Sequence, residues 1–196
     1  MDDARLERWL AALVVTPGLT SVRDRTEARR VHLDDSLAAV DVVRRFSGAI
    51  VDVGSGGGAP GIPLAVALSD REVTLLEANG RKCAFLREIA RELPNVTVVH
   101  GRAEEQEPDR FGVAVAKALA QPSVAAEWCL PLVAPGGAAV LFVGPSADAD
   151  AVTRVSSRLG GGPAEPLPGL LVLEKLDPTP PGFPRRPGVA KKRPLA

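Results

Sequence analysis

The sequence predicts an α/β domain: a doubly wound, mostly parallel sheet, with a helical N-terminal extension and a basic tail. Three observations carry this. Short apolar runs alternate with helical segments of roughly 10–15 residues through the middle of the chain, the pattern of βαβ units. Those runs are apolar nearly throughout, as happens when helices cover both faces of a sheet. A glycine cluster, DVGSGGGAPG (52–61), closes the first run and leads into a helix.

The elements follow in order. Leu6, Trp9, Leu10 and Leu13 sit at helical spacing over 4–15, and Thr16-Pro17-Gly18 ends that helix. Residues 26–46 read as one or two further helices with Val31, Leu33, Leu37, Val40 and Val43 as apolar positions. AIVDVG (49–54) is the first strand, and a helix over 60–68 starts at Pro60, where a missing N–H costs nothing. EVTLLEA (72–78) is the second strand. Residues 79–93 form a periodic helix capped by Asn79 and followed by Pro94. VTVVH (96–100) and GVAVA (112–116) are strands, 123–132 is helical, and Pro135-Gly136-Gly137 turns the chain into a strand over 138–143. Residues 148–159 read as helix, 160–168 as loop, and LLVLEKL (170–176) as a late strand. The division expected is an extension over 1–46, a wound domain over 47–177 and a Pro-rich tail over 178–196.

The 196 residues suffice for one domain, and 45% hydrophobic with 24% charged residues is ordinary for a soluble protein. No apolar run reaches the ~20 residues of a membrane span, and the acidic N-terminus lacks the features of a secretory signal. Cys83 and Cys129 make neither a disulfide framework nor a metal knuckle, so no metal is expected and a cytoplasmic setting fits. The formal net charge of zero hides a segregation: residues 47–177 carry eleven basic and sixteen acidic groups, and 178–196 carry five basic and none acidic. Basic charge confined to one end suits a polyanionic partner; a solvated tail accounts for it equally well.

The glycine loop admits two cofactors. Gly54, Gly56 and Ala59 satisfy G-x-G-x-x-G/A, the dinucleotide fingerprint, and Glu77, at the end of the second strand about 20 residues on, is placed to bind ribose hydroxyls. Asp52, Gly54, Gly56 and Gly58 satisfy D-x-G-x-G-x-G, which resembles S-adenosylmethionine-dependent methyltransferases. Three features favour the second. Asp52 can bind the loop or reach the donor's amino-acid part through water. The wound domain leaves no room for a separate substrate domain. Ala103-Glu104, after the third strand, lies where an adenine amino group is recognised. An acidic middle region also suits a sulfonium cation.

DVGSGGGAPGIPLAVAL, followed by VTLLEANGRKCAFLREIARELPNVTVVHGRAEE, resembles the bacterial 16S ribosomal RNA guanine-N7 methyltransferase family (methyltransferase G, glucose-inhibited division protein B). HLDDSL (32–37), GLTSVRD (18–24) and the closing LEKLDPTPPGFPRRPGVAKKRPL add to it, so the resemblance covers nearly the whole chain. It implies a Rossmann-like, seven-stranded class I methyltransferase fold. It implies S-adenosylmethionine as cofactor and 16S rRNA of the small ribosomal subunit as partner, with the protein a monomer. Gly54 and Ala59 would line the donor site, Glu77 would hold the ribose, and Ala103 and Glu104 would meet the adenine. Lys117 falls where the family has an arginine facing donor and substrate, and is the expected catalytic residue. The sequence departs from the family pattern at Lys117, at Val143 (usually lysine) and at Gly18 (usually asparagine); arginine and lysine are not equivalent at a planar contact. A degenerate or retargeted paralogue, binding the donor but acting on another RNA or a small molecule or serving as a ribosome-binding module, is the alternative.

The chemistry needs few residues. Guanine N7 carries a free lone pair and requires no general base, so orientation alone can drive transfer. That suits a chain with only His32 and His100 and no nucleophile–base constellation. His32 is a candidate RNA or substrate contact, or else packs the extension onto the wound domain. Asp35 and Ser36 read as helix caps. Cys83, Cys129, Trp9 and Trp128 read as core. Arg185, Arg186, Lys191, Lys192 and Arg193 are the expected phosphate contacts, aided by Arg29, Arg30, Arg44 and Arg45.

Overall fold

The computed structural model describes residues 3–196. Met1 and Asp2, the start of the expected extension, lie outside the described residues. Helix α1 (Ala4–Val15) buries Leu6, Trp9, Leu10 and Leu13, the stripe that the spacing predicts. Asp3 caps it by accepting the Arg5 N–H at 2.8 Å. The one or two helices expected over 26–46 are four short pieces: α2 (Arg25–Ala28), a π-helical turn (Arg29–Asp34), α3 (Asp35–Leu37) and α4 (Val40–Arg44). Ser36 is fully buried and donates its hydroxyl to the His32 carbonyl at 2.7 Å, a back-bond that disturbs regular helix. π turns cluster at functional sites, and this one faces the cleft described below.

Seven strands follow: β1 (Ile50–Val53), β2 (Val73–Glu77), β3 (Val96–His100), β4 (Phe111–Lys117), β5 (Val133–Phe142), β6 (Glu165–Leu167) and β7 (Leu170–Glu174). Their order is β3-β2-β1-β4-β5-β7-β6. The first five pair in parallel, and β7 runs antiparallel to both β5 and β6. The order reverses between β1 and β4, and ligands of such sheets bind at that switch point beyond the strand ends.

β6 falls in the stretch expected to be loop. It is three residues long, largely exposed and contains Pro166, which a sheet tolerates only at its edge. β5 begins earlier than expected: Val133 pairs with Phe111, and the pairing resumes at Ala138 with Val113. Pro135-Gly136-Gly137 therefore bulges within the strand rather than preceding it.

The helices between the strands fall close to expectation. They are α5 (Gly61–Ala67), α6 (Gly80–Ala90), α7 (Pro122–Cys129) and α8 (Ala149–Ser157). Asn79 caps α6 with its side-chain oxygen on the N–H groups of Arg81 and Lys82. Pro60 is the cap of α5 rather than its first residue. Two hydrophobic clusters cover the two faces of the sheet. The first contains the α1 stripe together with Ile62, Leu64 and Leu86, so the N-terminal helices share the sheet's own core.

The tail packs back on the domain. Lys175 is 1% exposed, and its ammonium donates to the Leu130 carbonyl at 3.1 Å and to the Thr179 hydroxyl at 2.6 Å. The Asp109 carboxylate lies 3.3 Å from Lys175 and accepts the Thr179 hydroxyl at 2.7 Å. Helix α9 (Val189–Lys192) then seats Ala190, 1% exposed, beside α7.

Candidate functional site

The glycine loop is shaped by its residue types. Gly54, Gly56 and Gly58 have φ of 72°, 57° and 102°, a region that side chains rarely adopt. A Cβ on Gly54 would also overlap the Leu119 side chain. The loop is fastened from three sides. The Trp9 indole donates to the Gly57 carbonyl at 2.8 Å, tying α1 to it. Ser55 donates its hydroxyl back to the Asp52 carbonyl at 2.9 Å. Glu77 accepts the Gly56 N–H at 2.9 Å with one oxygen and the Asn79 N–H at 2.7 Å with the other.

Asp52 works beneath the loop and lines none of the three cavities that meet there. It is 1% exposed, and its Oδ2 accepts the Gly61 N–H at 3.0 Å, holding the start of α5. Of its two expected roles, loop binding is the one that the geometry provides. Burial pushes its carboxyl up to about 7, and the nearby Glu77 charge adds to that.

One cavity, of about 270 Å³, is lined by Gly54, Glu77, Ala103, Glu104, Trp128 and Lys191. A second, of about 250 Å³, runs along Gly54, Gly56, Ala59, His32 and Lys117. Gly54, Lys82 and Ala118 line both, so the two form one cleft over the loop. Lys82 places a cation beside that cleft, and neither a motif nor a periodicity marks it in the sequence. Trp128, read as core, lines the cleft with its buried indole N–H unpartnered among the described residues. The signal for it was absent because a helix stripe says nothing of a partly open edge.

Lys117 ends β4. Its ammonium donates to the Val31 carbonyl on the π turn, lies 3.7 Å from Asp35 Oδ2, and stands 5.5 Å from the centre of the Phe142 ring. Burial lowers its pKa while Asp35 opposes the shift. Ala118 follows with φ 52° and lines both parts of the cleft. Lys117 and Ala118 also line a third cavity, of about 420 Å³, with Asp35, Phe142, Val143 and Gly169. His32 contacts Thr20 Oγ1 at 2.8 Å through Nε2. Burial, then the Lys117 charge, lowers its pKa, against the pull of Asp35.

The structure divides the tail cations expected at phosphates. Arg185 forks onto buried Glu127 at 2.5 and 2.6 Å and donates to the Arg193 carbonyl at 2.9 Å. It fastens the tail rather than facing solvent. Lys191 lies 5.3 Å over the Trp128 ring, and Gly188 donates its N–H to Glu104 at 3.1 Å. The tail thus walls the part of the cleft nearest Ala103 and Glu104. Arg186, Lys192 and Arg193 are exposed. Arg45 forks onto Glu165 and Arg44 pairs with Asp41, whereas the exposed Arg30 side chain makes no hydrogen bond or ion pair among the described residues.

The donor set fits S-adenosylmethionine. Glu77 retains acceptor capacity after its two backbone bonds, because a carboxylate offers about four lone-pair sites. The Trp128 N–H awaits an acceptor, and Glu104 faces the same cleft. Among the described residues no group of acidic, histidine or cysteine side chains could hold a metal ion, and no helix is long and apolar enough to cross a membrane.

Comparison with known proteins agrees. The family model described as rRNA small subunit methyltransferase G matches residues 4–157. Ribosomal RNA small subunit methyltransferase G of Clostridium beijerinckii is 34% identical over 197 residues, covering 90% of this chain and 82% of that protein. Its counterpart in Chloroflexus aggregans is 36% identical over 213 residues, covering 98% and 90%. Among solved structures, the CurJ carbon methyltransferase superposes with a TM-score of 0.63 at 14% identity, covering 90% of this chain and 68% of that one. The O-methyltransferase NcsB1 from neocarzinostatin biosynthesis, solved with S-adenosylmethionine, gives 0.56 at 16% identity, covering 78% and 58%. Those two likenesses bear on the fold alone, which is that of the Rossmann-like class I methyltransferases. Sequence identity of this extent, with the family model spanning most of the chain, shows that the protein belongs to the rRNA small subunit methyltransferase G family of S-adenosylmethionine-dependent methyltransferases.

Proposed function

We propose that the protein transfers the methyl group of S-adenosylmethionine to N7 of a guanine in 16S rRNA of the small ribosomal subunit. The observation that carries this is the junction at Lys117 and Ala118: both line the cavity along the glycine loop and the separate cavity beside Phe142. Donor and acceptor sites thereby adjoin. The relatives' name, ribosomal RNA small subunit methyltransferase G, supplies the substrate class.

S-adenosylmethionine supplies an electrophilic methyl group on a sulfonium. Glu77 and Glu104 would hold its ribose and adenine, Gly54, Gly56 and Ala59 would let the backbone approach it, and Trp128 and Lys191 would close one side. Gly58 gives the loop its third left-handed turn, and Asp52 keeps the loop anchored to α5. N7 attacks with its own lone pair, so no residue need take a proton before transfer. The chain contributes orientation, worth up to about 7–11 kcal/mol when reactants are well aligned. Lys117 would sit beside the reacting atoms as an ammonium, held by Val31 and Asp35.

The exposed cations Arg186, Lys191, Lys192 and Arg193, with Arg30 and the neighbouring His32, would meet RNA phosphate. Arg185 would act indirectly by keeping the tail docked. Such contacts give an affinity that falls steeply with salt. The target guanine must be exposed or flipped out of its helix to enter the cavity.

The test is label transfer from radioactive S-adenosylmethionine to small subunits from a strain lacking the enzyme, followed by nucleoside mass spectrometry. N7-methylguanosine is expected. Donor binding without transfer would overturn the reading and leave the retargeted or degenerate paralogue, for which Val143, apolar at the cavity rim, is the structural argument.

A further inference from the structure

The cavity beside Phe142 holds a charged pair, Lys117 and Asp35, of which Asp35 lines neither part of the donor cleft. Lys117 and Asp35 stand side by side, 3.7 Å apart, with side chains 16% and 47% exposed. The Asp35 carboxylate makes no other hydrogen bond or ion pair among the described residues. An ammonium has three N–H donors. The Val31 carbonyl takes one and Asp35 attracts a second, so Lys117 keeps donor capacity toward the cavity.

We propose that Lys117 and Asp35 form the specificity element that reads the acceptor base as guanine. Lys117 donates to O6, Asp35 accepts from N1–H and N2–H, and the ring lies against Phe142. This rests on the guanine-N7 reading above and deepens it.

Order along the base edge supports the assignment. Guanine presents N7, O6, N1–H and N2–H in sequence. Lys117 lines both the loop cavity and the Phe142 cavity, whereas Asp35 lines only the latter. Lys117 at O6 and Asp35 at N1 and N2 therefore leave N7 on the donor side. A donor beside an acceptor also discriminates. Adenine presents an amino group where guanine has O6, and an acceptor at N1, so both contacts would become repulsive. Extruded bases are generally read on this edge and stacked on aromatic side chains, and Phe142 supplies a half-buried ring.

The experiment uses the full chain with small subunits reconstituted on 16S rRNA carrying either guanine or inosine at the methylated position. Inosine keeps N7, O6 and N1–H but lacks the 2-amino group. Asp35→Asn is compared with wild type on both, with donor affinity measured by calorimetry. The expected result is a kcat/KM for wild type about 10- to 100-fold lower on inosine. Asp35→Asn should lose a similar factor on guanine, lose little more on inosine, and bind donor normally, with Asp35→Glu recovering part of the guanine preference. Equal wild-type rates on guanine and inosine would overturn the pair while leaving N7 methylation intact, whether or not the variant folds. An Asp35→Asn variant that keeps the full inosine penalty would do the same. Absence of guanine methylation by wild type would overturn the function itself and this element with it.

Discussion

Asp52 gives the most direct test of how the glycine loop is held. Its carboxyl is fully buried, accepts one bond from Gly61, and has Oδ1 without a partner among the described residues. Burial raises its pKa from 3.8 to about 7. Below about pH 4 the folded and unfolded chains both carry the proton, and Asp52 costs no stability. Between about pH 4 and 7 the unfolded chain releases it while the folded chain keeps it, so stability falls as pH rises, by about 1.4 kcal/mol per pH unit. Above pH 7 both are ionised and the loss, about 4 kcal/mol, is complete. Other carboxylates act oppositely: Arg5 holds Asp3 down at about 2, and Thr179 and Lys175 lower Asp109. Those groups stabilise at neutral pH and lose that contribution in acid. Asp52→Asn isolates the one contribution. The amide keeps an oxygen for Gly61, and any cost of its unpartnered NH₂ is the same at every pH. Urea unfolding of both proteins at half-unit intervals from pH 4 to 7.5 should show the variant gaining about 4 kcal/mol on wild type across the window. Parallel stability curves would refute the assignment of a protonated Asp52 beneath the loop.

Three further outcomes are expected. Glu77→Ala removes the carboxylate that holds Gly56 and faces the cleft, and should weaken S-adenosylmethionine binding by about 1–3 kcal/mol; unchanged affinity by calorimetry would sink the site assignment. Arg185→Ala leaves Glu127, 3% exposed, as an unpaired buried charge, and should cost about 3 kcal/mol. Limited proteolysis should then cut the tail after Pro184, and wild-type protease resistance would contradict a fastened tail. Gly112→Ala would drive a Cβ into the Ser47 carbonyl and should cost more than about 3 kcal/mol or prevent folding, whereas Gly136→Ala, in open space with φ 86°, should cost about 1 kcal/mol. Similar melting temperatures for the two glycine variants would refute the close approach of the Ser47–Gly48 turn to β4.

The parts of the fold legible in the sequence are those set by local periodicity. The stripe Leu6, Trp9, Leu10, Leu13 fixes α1, and Asn79 fixes the start of α6, because spacing and capping are properties of a few consecutive residues. β6 was not legible: with Glu165 and Pro166 in three residues it has no strand character of its own and forms only because β7 offers an edge. The glycine loop and Glu77 were legible for a similar local reason. Asp35 and Trp128 were not. Asp35 looks like any helix-start carboxylate, and only the arrival of Lys117, 82 positions later on β4, gives it a partner. Arg185 misled in the other direction. A basic residue among prolines reads as free for phosphate until the fold brings buried Glu127 against it.

Adjacency explains how so sparse a set of titratable groups can serve the reaction. Gly54 and Ala118 come from the ends of β1 and β4, the two strands between which the sheet order reverses, so the sheet opens a cleft where they part. Ala118 sits there in the left-handed region, a conformation costing of order 1–3 kcal/mol that persists only where the surroundings dictate it. Among the described residues it is also the one that lines all three cavities. A regular continuation of β4 would carry the chain straight out past Lys117. The turn at Ala118 instead sends it aside, so that Lys117 and Ala118 stand together between the loop cavity and the Phe142 cavity. Under the proposed guanine-N7 reading, the strain at this position belongs with the chemistry: a nucleophile that needs no base gains most from a partition thin enough to let it approach in line.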